Sequence, residues 1–148
     1  MTSANVPKNI LLIEDNPSYQ DLMEVAFEEN QISHNLYIVS NAQEALEFLL
    51  HPASDGNKLR CDLIILDLNL PGMHGHELLN IIKRDDLLKL IPVVVFTSST
   101  ANDDILKCYN LNANCYLTKP FELEEFFEVV QKSLNFWLNC ACSPQIDS

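Results

Sequence analysis

Four places along the chain carry side chains that could do chemistry together: the adjacent acids Glu14 and Asp15, then Asp67, Thr97 and Lys119. Each follows, directly or within two residues, a short aliphatic run, so each stands where a buried strand would end. Side by side, such strands bring all five side chains to one edge. Two carboxylates about 4 Å apart repel by about 4 kcal/mol at an effective dielectric of about 20, so a three-acid cluster calls for a cation. A hard divalent ion answers that need, and Mg²⁺ takes oxygen ligands while keeping several waters. An ionised Asp67 facing such an ion, flanked by a hydroxyl and an ammonium, has the parts of a phosphoryl acceptor.

The elements that must position these residues alternate along the chain. Lys8 to Ile13 reads as a strand buried on both faces, and Asn16 followed by Pro17 reads as a helix cap with a first-turn proline. That helix is expected from Pro17 to about Glu29, with Leu22, Val25 and Ala26 on one stripe and Tyr19, Met23 and Phe27 beside it. Asn35 to Val39 is the second strand. Two overlapping capping boxes, Ser40 to Gln43 and Asn41 to Glu44, open the next helix. His51 to Arg60 is a polar loop, and Leu63 to Leu66 is the central strand, ending at Asp67. A loop with Pro71, Gly72 and Gly75 leads to a helix over Glu77 to Arg84, and Val93 to Phe96 is a strand. A helix from about Asn102 to Tyr109, the strand Cys115 to Leu117 and a last long helix complete five βα units. The fold class is therefore α/β, a doubly wound five-stranded parallel sheet with right-handed crossovers. In such a sheet, chemistry sits at the carboxyl ends of the strands, near the switch in strand order.

The totals agree with one compact unit. A chain of 148 residues fits a single domain, since domains run to roughly 100–200 residues. With 47% hydrophobic and 20% charged residues, it has the composition of a folded chain. The balance of 9 Lys and Arg against 21 Asp and Glu gives a charge of -12, which argues against binding nucleic acid or an anionic membrane. Met1 to Pro7 has no signal-peptide character, and no apolar stretch reaches the ~20 residues of a membrane helix, so a cytoplasmic location is expected. The five cysteines have no C-x-x-C spacing and read as reduced, mostly packing thiols, while His74 and His76 read as two solvated loop histidines.

The pair Glu14-Asp15, the segment Leu66-Asp67-Leu68-Asn69-Leu70-Pro71-Gly72 with Gly75, the pair Thr97-Ser98, and Lys119-Pro120 together resemble the receiver domains of two-component response regulators. The resemblance runs over nearly the whole chain, and five motifs in order are far more specific than any one. It implies a (βα)5 flavodoxin-like receiver at 8–139 between an N-terminal tail, 1–7, and a C-terminal tail, 140–148. It implies that Asp67 accepts phosphate from a sensor histidine kinase or phosphotransfer protein, and that the protein is not an enzyme beyond self-phosphorylation and slow loss of phosphate. Asp15, Asp67 and the backbone carbonyl of Asn69 would hold Mg²⁺, with Glu14 assisting through water. Thr97 and Lys119 would stabilise the phosphoryl oxygens, beside a small Ser98. Thr97 and Tyr116 would form the switch, and Lys119-Pro120 would be joined by a cis bond. His74 departs from the acid that many receivers carry there, which bears on partner choice. Residues from Asp62 through Ile91-Pro92-Val93-Val94-Val95 to Phe136-Trp137-Leu138 look like the small stand-alone regulators of cyanobacterial phytochrome kinases.

Two rival functions deserve weighing. Asp67-Leu68-Asn69 faintly resembles the nucleophile loop of haloacid-dehalogenase-type phosphatases, but that family places its loop after the first strand and has a second acid where Asn69 stands. A flavodoxin-like FMN carrier needs backbone donors after the first strand, where Glu14 and Asp15 would repel its phosphate. Output through protein contacts is expected, to a partner the sequence does not name. A homodimer is expected through the last helix, the fifth strand and the fourth helix. At about 100° per residue, Leu123, Phe126, Phe127, Val130, Leu134, Trp137 and Leu138 form the core stripe, leaving Val129 and Phe136 on a second face near Ser133 and Cys140. The competing arrangement folds Phe136 under the tail around Ile146.

Overall fold

The computed structural model describes residues 6–51 and 60–144. In chain order it contains β1 (Lys8–Ile13), α1 (Pro17–Glu28), β2 (His34–Val39), α2 (Ala42–Leu50), β3 (Leu63–Leu66) and α3 (Gly75–Arg84). These are followed by β4 (Val93–Thr97), α4 (Asn102–Asn110), β5 (Cys115–Thr118) and α5 (Leu123–Asn135). The five strands form one parallel sheet in the order β2-β1-β3-β4-β5. The chain reverses its winding direction between β1 and β3, which opens a crevice at their carboxyl ends.

Because strand side chains alternate, the aliphatic runs feed two cores at once. Leu11, Ile13, Ile64, Leu66, Val93 and Val95 face α2, α3 and α4. Ile10, Leu12, Leu63, Ile65, Val94 and Phe96 face α1 and α5. Phe27 and Phe126 are fully buried on that second side, each contributing about 1.5–3 kcal/mol of transfer free energy.

The helix starts follow their sequence signals. Asn16 Oδ1 accepts the Ser18 amide at 2.9 Å, with Pro17 in the first turn. Of the two capping boxes before α2, Asn41 and Glu44 form the working one: Asn41 Oδ1 accepts the Glu44 amide at 2.8 Å, and Glu44 Oε1 accepts the Ser40 amide at 2.9 Å. At the end of α4, Asn112 takes a positive φ of 71°. The amides of Asn112 and Ala113 return to Tyr109 and Cys108, a Schellman closure that sets the entry into β5.

Several expectations need correction. The buried stripe of α1 is Met23, Ala26 and Phe27, whereas Val25 is 44% exposed; the helix is rotated so that Phe27 meets the sheet. Leu123 is 55% exposed because it precedes the part of α5 that lies on the strands, and the core stripe is Phe126, Val130, Leu134 and Leu138. Val129 is half-buried and packs into the same core, so Phe136 alone of that pair projects outward. A 3₁₀ turn, Leu88–Leu90, precedes β4, and a π turn, Phe136–Cys140, continues α5. No cis peptide bond occurs among the described residues, so Lys119-Pro120 is trans, a geometry that X-Pro bonds favour by about 0.5–1 kcal/mol. His76 is not a solvated loop residue: it is buried in the first turn of α3, where His74 is the N-cap. Cys61 and Cys108 are buried and Cys115 half-buried, while Cys140 and Cys142 are exposed. Most of the polar loop after His51 (52–59) and the region of Ile146 lie outside the described residues.

Candidate phosphoryl-acceptor site

Parallel register carries the acid, hydroxyl and ammonium groups to the same edge. Ile13 pairs with Leu66, Leu66 with Val95, and Thr97 with Thr118, so Glu14, Asp67 and Lys119, which follow paired residues, come to the same edge as Thr97. The backbone fixes them further: the Asp67 amide donates to Ile13 at 3.0 Å, the Glu14 amide to Val39 at 3.0 Å, and the Lys119 amide to Thr97 at 2.8 Å. Gly75 is required below the site, since a Cβ there would stand 2.6 Å from Leu68 Cα and 2.9 Å from the Asp67 carbonyl. Gly72, with φ of 75°, makes the turn that leads to it.

Asp67 forms the floor of the crevice. Its Oδ1 accepts the Thr97 hydroxyl at 2.8 Å and the Asn69 amide at 3.1 Å, and its Oδ2 accepts Lys119 Nζ at 2.8 Å. Lys119 also donates to Glu14 Oε1, while Glu14 Oε2 accepts the Asn16 amide at 3.1 Å. Glu14, Asp67, Thr97 and Lys119 are all buried, and Asp15 and Asn69 are exposed at the rim.

Electrostatics divide the two buried acids. Burial alone would raise the pKa of Asp67, but the hydrogen bond and charge of Lys119, with the Asn69 amide and Thr97 hydroxyl, hold it below the usual carboxylate range. For Glu14, burial outweighs Lys119, and the nearby Asp67 charge adds to it, so its pKa is pushed up to about 7. Burial disfavours the Lys119 ammonium, yet its contacts with Asp67 and Glu14 outweigh that and raise its pKa. The site therefore offers an ionised Asp67 beside a charged Lys119.

Two participants are not evident from the sequence. Tyr19 presents its ring 3.7 Å from Lys119 Nζ, a cation–π contact that fixes the ammonium from the α1 side. Gln20 Nε2 donates to the Glu14 carbonyl at 2.6 Å and ties the same loop. Asn16-Pro17 was the available signal, because a helix starting there places its first turn against the strand ends. Tyr116 lies one step away: it is half-buried, and its hydroxyl donates to the Ser99 carbonyl at 2.9 Å.

The donor set fits a hard divalent ion. Two buried acids, Glu14 and Asp67, share one ammonium, and the next residue in the chain after Glu14, Asp15, is exposed at the rim, as is Asn69, so carboxyl groups outnumber cations at this edge. Among the described residues no three His, Cys, Asp or Glu side chains converge into a closed cage. An ion would be held by few protein oxygens and water, which is the mode Mg²⁺ uses.

The family model for the response regulator receiver domain matches residues 10–131. The chain belongs to the response-regulator receiver family. Response regulator Rcp1 of Synechocystis sp. is 41% identical over 141 residues, covering 95% of this chain and 96% of the relative. The structure of the phosphorylated cyanobacterial phytochrome response regulator RcpA superposes with a TM-score of 0.88 at 40% identity, covering 95% of this chain and 100% of that one. The Mn²⁺-bound form of Rcp1 gives a TM-score of 0.86 at 41% identity, covering 94% and 100%. As a receiver, this chain is of a phosphoaccepting and not a typically enzymatic family, and its acid-lined crevice corresponds to a fold in which divalent-ion complexes are known. Asp67 follows the third strand, and neither this placement nor the matched family supports the phosphatase reading.

Proposed function

We propose that this response regulator accepts a phosphoryl group on Asp67 from a sensor histidine kinase of phytochrome type. The observation that carries the reading is the state of Asp67: an ionised carboxylate on the floor of the crevice, with Thr97 and Lys119 donating directly to it. A carboxylate oxygen attacks phosphorus in line, the new O–P bond forms as the P–N bond of the donor phosphohistidine breaks, and the imidazole leaves as the proton-bearing group. Asp15, Asp67 and the Asn69 carbonyl would hold Mg²⁺, with Glu14 behind them through water. The ion, when bound, neutralises charge developing on the equatorial oxygens. Lys119 and Thr97 exchange their bonds to Asp67 for bonds to the incoming oxygens. As the Thr97 hydroxyl moves, Tyr116 leaves the Ser99 carbonyl and packs behind it, which alters the α4–β5 face. The phytochrome-type donor is supported by the similarity to Rcp1 and RcpA.

Mass spectrometry after incubation with acetyl phosphate and Mg²⁺ tests the acceptor. Wild type gains one phosphoryl group, and Asp67→Asn, nearly isosteric but without a nucleophile, gains none; undiminished labelling of that variant would refute the assignment. Output from a surface this acidic passes to proteins in the cytoplasm, not to nucleic acid. The same reading includes a homodimer through α4, β5 and the last helix, where Leu106, Tyr109, Leu123 and Phe136 are exposed. Sedimentation at micromolar concentration is expected to give dimers for wild type and monomers for Phe136→Glu, and monomers for both would remove the dimer.

A further inference from the structure

Away from the crevice, one buried polar atom lacks a partner. Nε2 of His76 makes no hydrogen bond among the described residues, and the side chain is only 7% exposed. Native structures leave few such atoms. Asp104 Oδ1 of α4 faces it at 3.9 Å, an ion-pair distance if the ring is charged but too long for a hydrogen bond. The other Asp104 oxygen, Oδ2, accepts the Ser99 hydroxyl at 2.6 Å, and the same hydroxyl accepts the Ala101 amide at 3.3 Å. The Ser99 carbonyl in turn accepts the Tyr116 hydroxyl at 2.9 Å. Four side chains thus link α3, the β4–α4 loop, α4 and β5, and the loose joint is between His76 and Asp104.

We propose that His76 is a positioning residue for the Tyr116 switch: by closing on Asp104 when protonated it reinforces the hold on Ser99, and with it the Tyr116 hydroxyl, in the unphosphorylated arrangement. The inference rests on Asp67 as acceptor and Tyr116 as the responding residue. An imidazole with its Nε2 lone pair toward Asp104 repels the carboxylate, whereas the imidazolium donates to it. The charged and titratable groups facing the ring are His74 at the N-cap of α3, and Asp104 and Lys107 on α4. Burial first, then His74 and Lys107, push the imidazole below the ordinary histidine range against the pull of Asp104. The joint stands open at the 3.9 Å seen between His76 and Asp104 and closes on acidification, when the second ring proton fixes Nε2 as a donor and a charged His76 opposes phosphorylation at Asp67.

Linkage supplies the test, since two sites that bias one equilibrium must affect each other by the same factor. The His76 ring is followed by histidine NMR through a pH titration of the full chain with Mg²⁺, in the absence and presence of beryllofluoride as a phosphoryl mimic. A coupling of about threefold lowers the His76 midpoint by about half a pH unit when the mimic binds, and Asp104→Asn removes that displacement. Equal midpoints in wild type with and without the mimic would overturn the proposal. A second readout is the rate of labelling by acetyl phosphate: wild type slows on acidification relative to His76→Gln, and superimposable profiles overturn the proposal equally. Label on Asp67→Asn, or wild-type switching in Tyr116→Phe, would instead place the failure in the acceptor or switch reading and take this inference with it.

Discussion

Two lysines at opposite ends of the sheet show how one side chain serves different ends. Lys119, at the carboxyl edge, is buried and donates to two carboxylates, Asp67 and Glu14. Lys83, at the amino edge, donates to the carbonyls of Lys89 and Ile91 at 3.1 and 2.9 Å and to Asn114 Oδ1 at 2.9 Å. The acceptors around Lys83 are neutral and have fixed places, since Asn114 Oδ1 also accepts the Val93 amide at 2.9 Å. That lysine can only brace the 3₁₀ turn against β4. The acceptors around Lys119 are carboxyl groups, and one of them, Asp67, is the proposed nucleophile. On the proposed reading its bonds are redistributed when new anionic oxygens arrive, which would make it part of the chemistry and not of the frame.

Removing each lysine tests that distinction, and the larger effect belongs to the carboxyl edge. Lys119→Met is expected to slow labelling by acetyl phosphate by about a hundredfold or more, the scale of losing one preorganised donor to a developing anion. It should also cost about 3 kcal/mol in denaturant unfolding, because it leaves Asp67 buried without its counter-charge. A variant that labels at the wild-type rate would make Lys119 a brace like Lys83. A smaller loss is expected for Asp15→Ala, which leaves Asp67 and Lys119 paired but removes an accessible oxygen at the rim. Mg²⁺ affinity and labelling rate should fall together, and raising the Mg²⁺ concentration should restore the rate. Unchanged affinity in a titration would take Asp15 out of the site.

The carboxyl edge was the more legible of the two regions, for a physical reason. Asp67, Thr97 and Lys119 each follow an apolar run too short for anything but a buried strand, and a parallel sheet leaves such residues nowhere else to go. Topology alone therefore assembled them. What the sequence concealed depended on rotation about a helix axis: Tyr19 reaches Lys119 and Val25 faces outward because α1 is phased by Phe27, and a stripe read at about 100° per residue tolerates that much error. His76 was misplaced by a boundary. Read as lying in the loop before α3, it belongs to the first turn, where the close approach of Gly75 to Leu68 draws it under α4. The Lys83 brace had no signal at all, since its partners are two backbone carbonyls and an asparagine that only the fold brings together.

Lys83→Met carries the smallest expected effect and separates the two regions most cleanly. Labelling at Asp67 should be unchanged, because nothing in the brace touches the crevice. Stability at neutral pH should fall by about 1–2 kcal/mol through the lost hydrogen bonds, which leave the Ile91 carbonyl buried with fewer partners. The pH dependence identifies the cause. Burial pulls the Lys83 pKa from 10.5 down to about 8. Between those values the unfolded chain holds a proton on this amine that the folded chain has released, so the stability of the wild type rises with pH through that window. A variant without the amine lacks that rise. The difference in unfolding free energy between wild type and Lys83→Met should therefore widen as pH climbs above 8 and level off above 10.5. A constant difference across the window would mean that the three neutral acceptors keep the ammonium fully charged, and Lys83 would then resemble Lys119 in charge state while differing from it in having no anion to hand over.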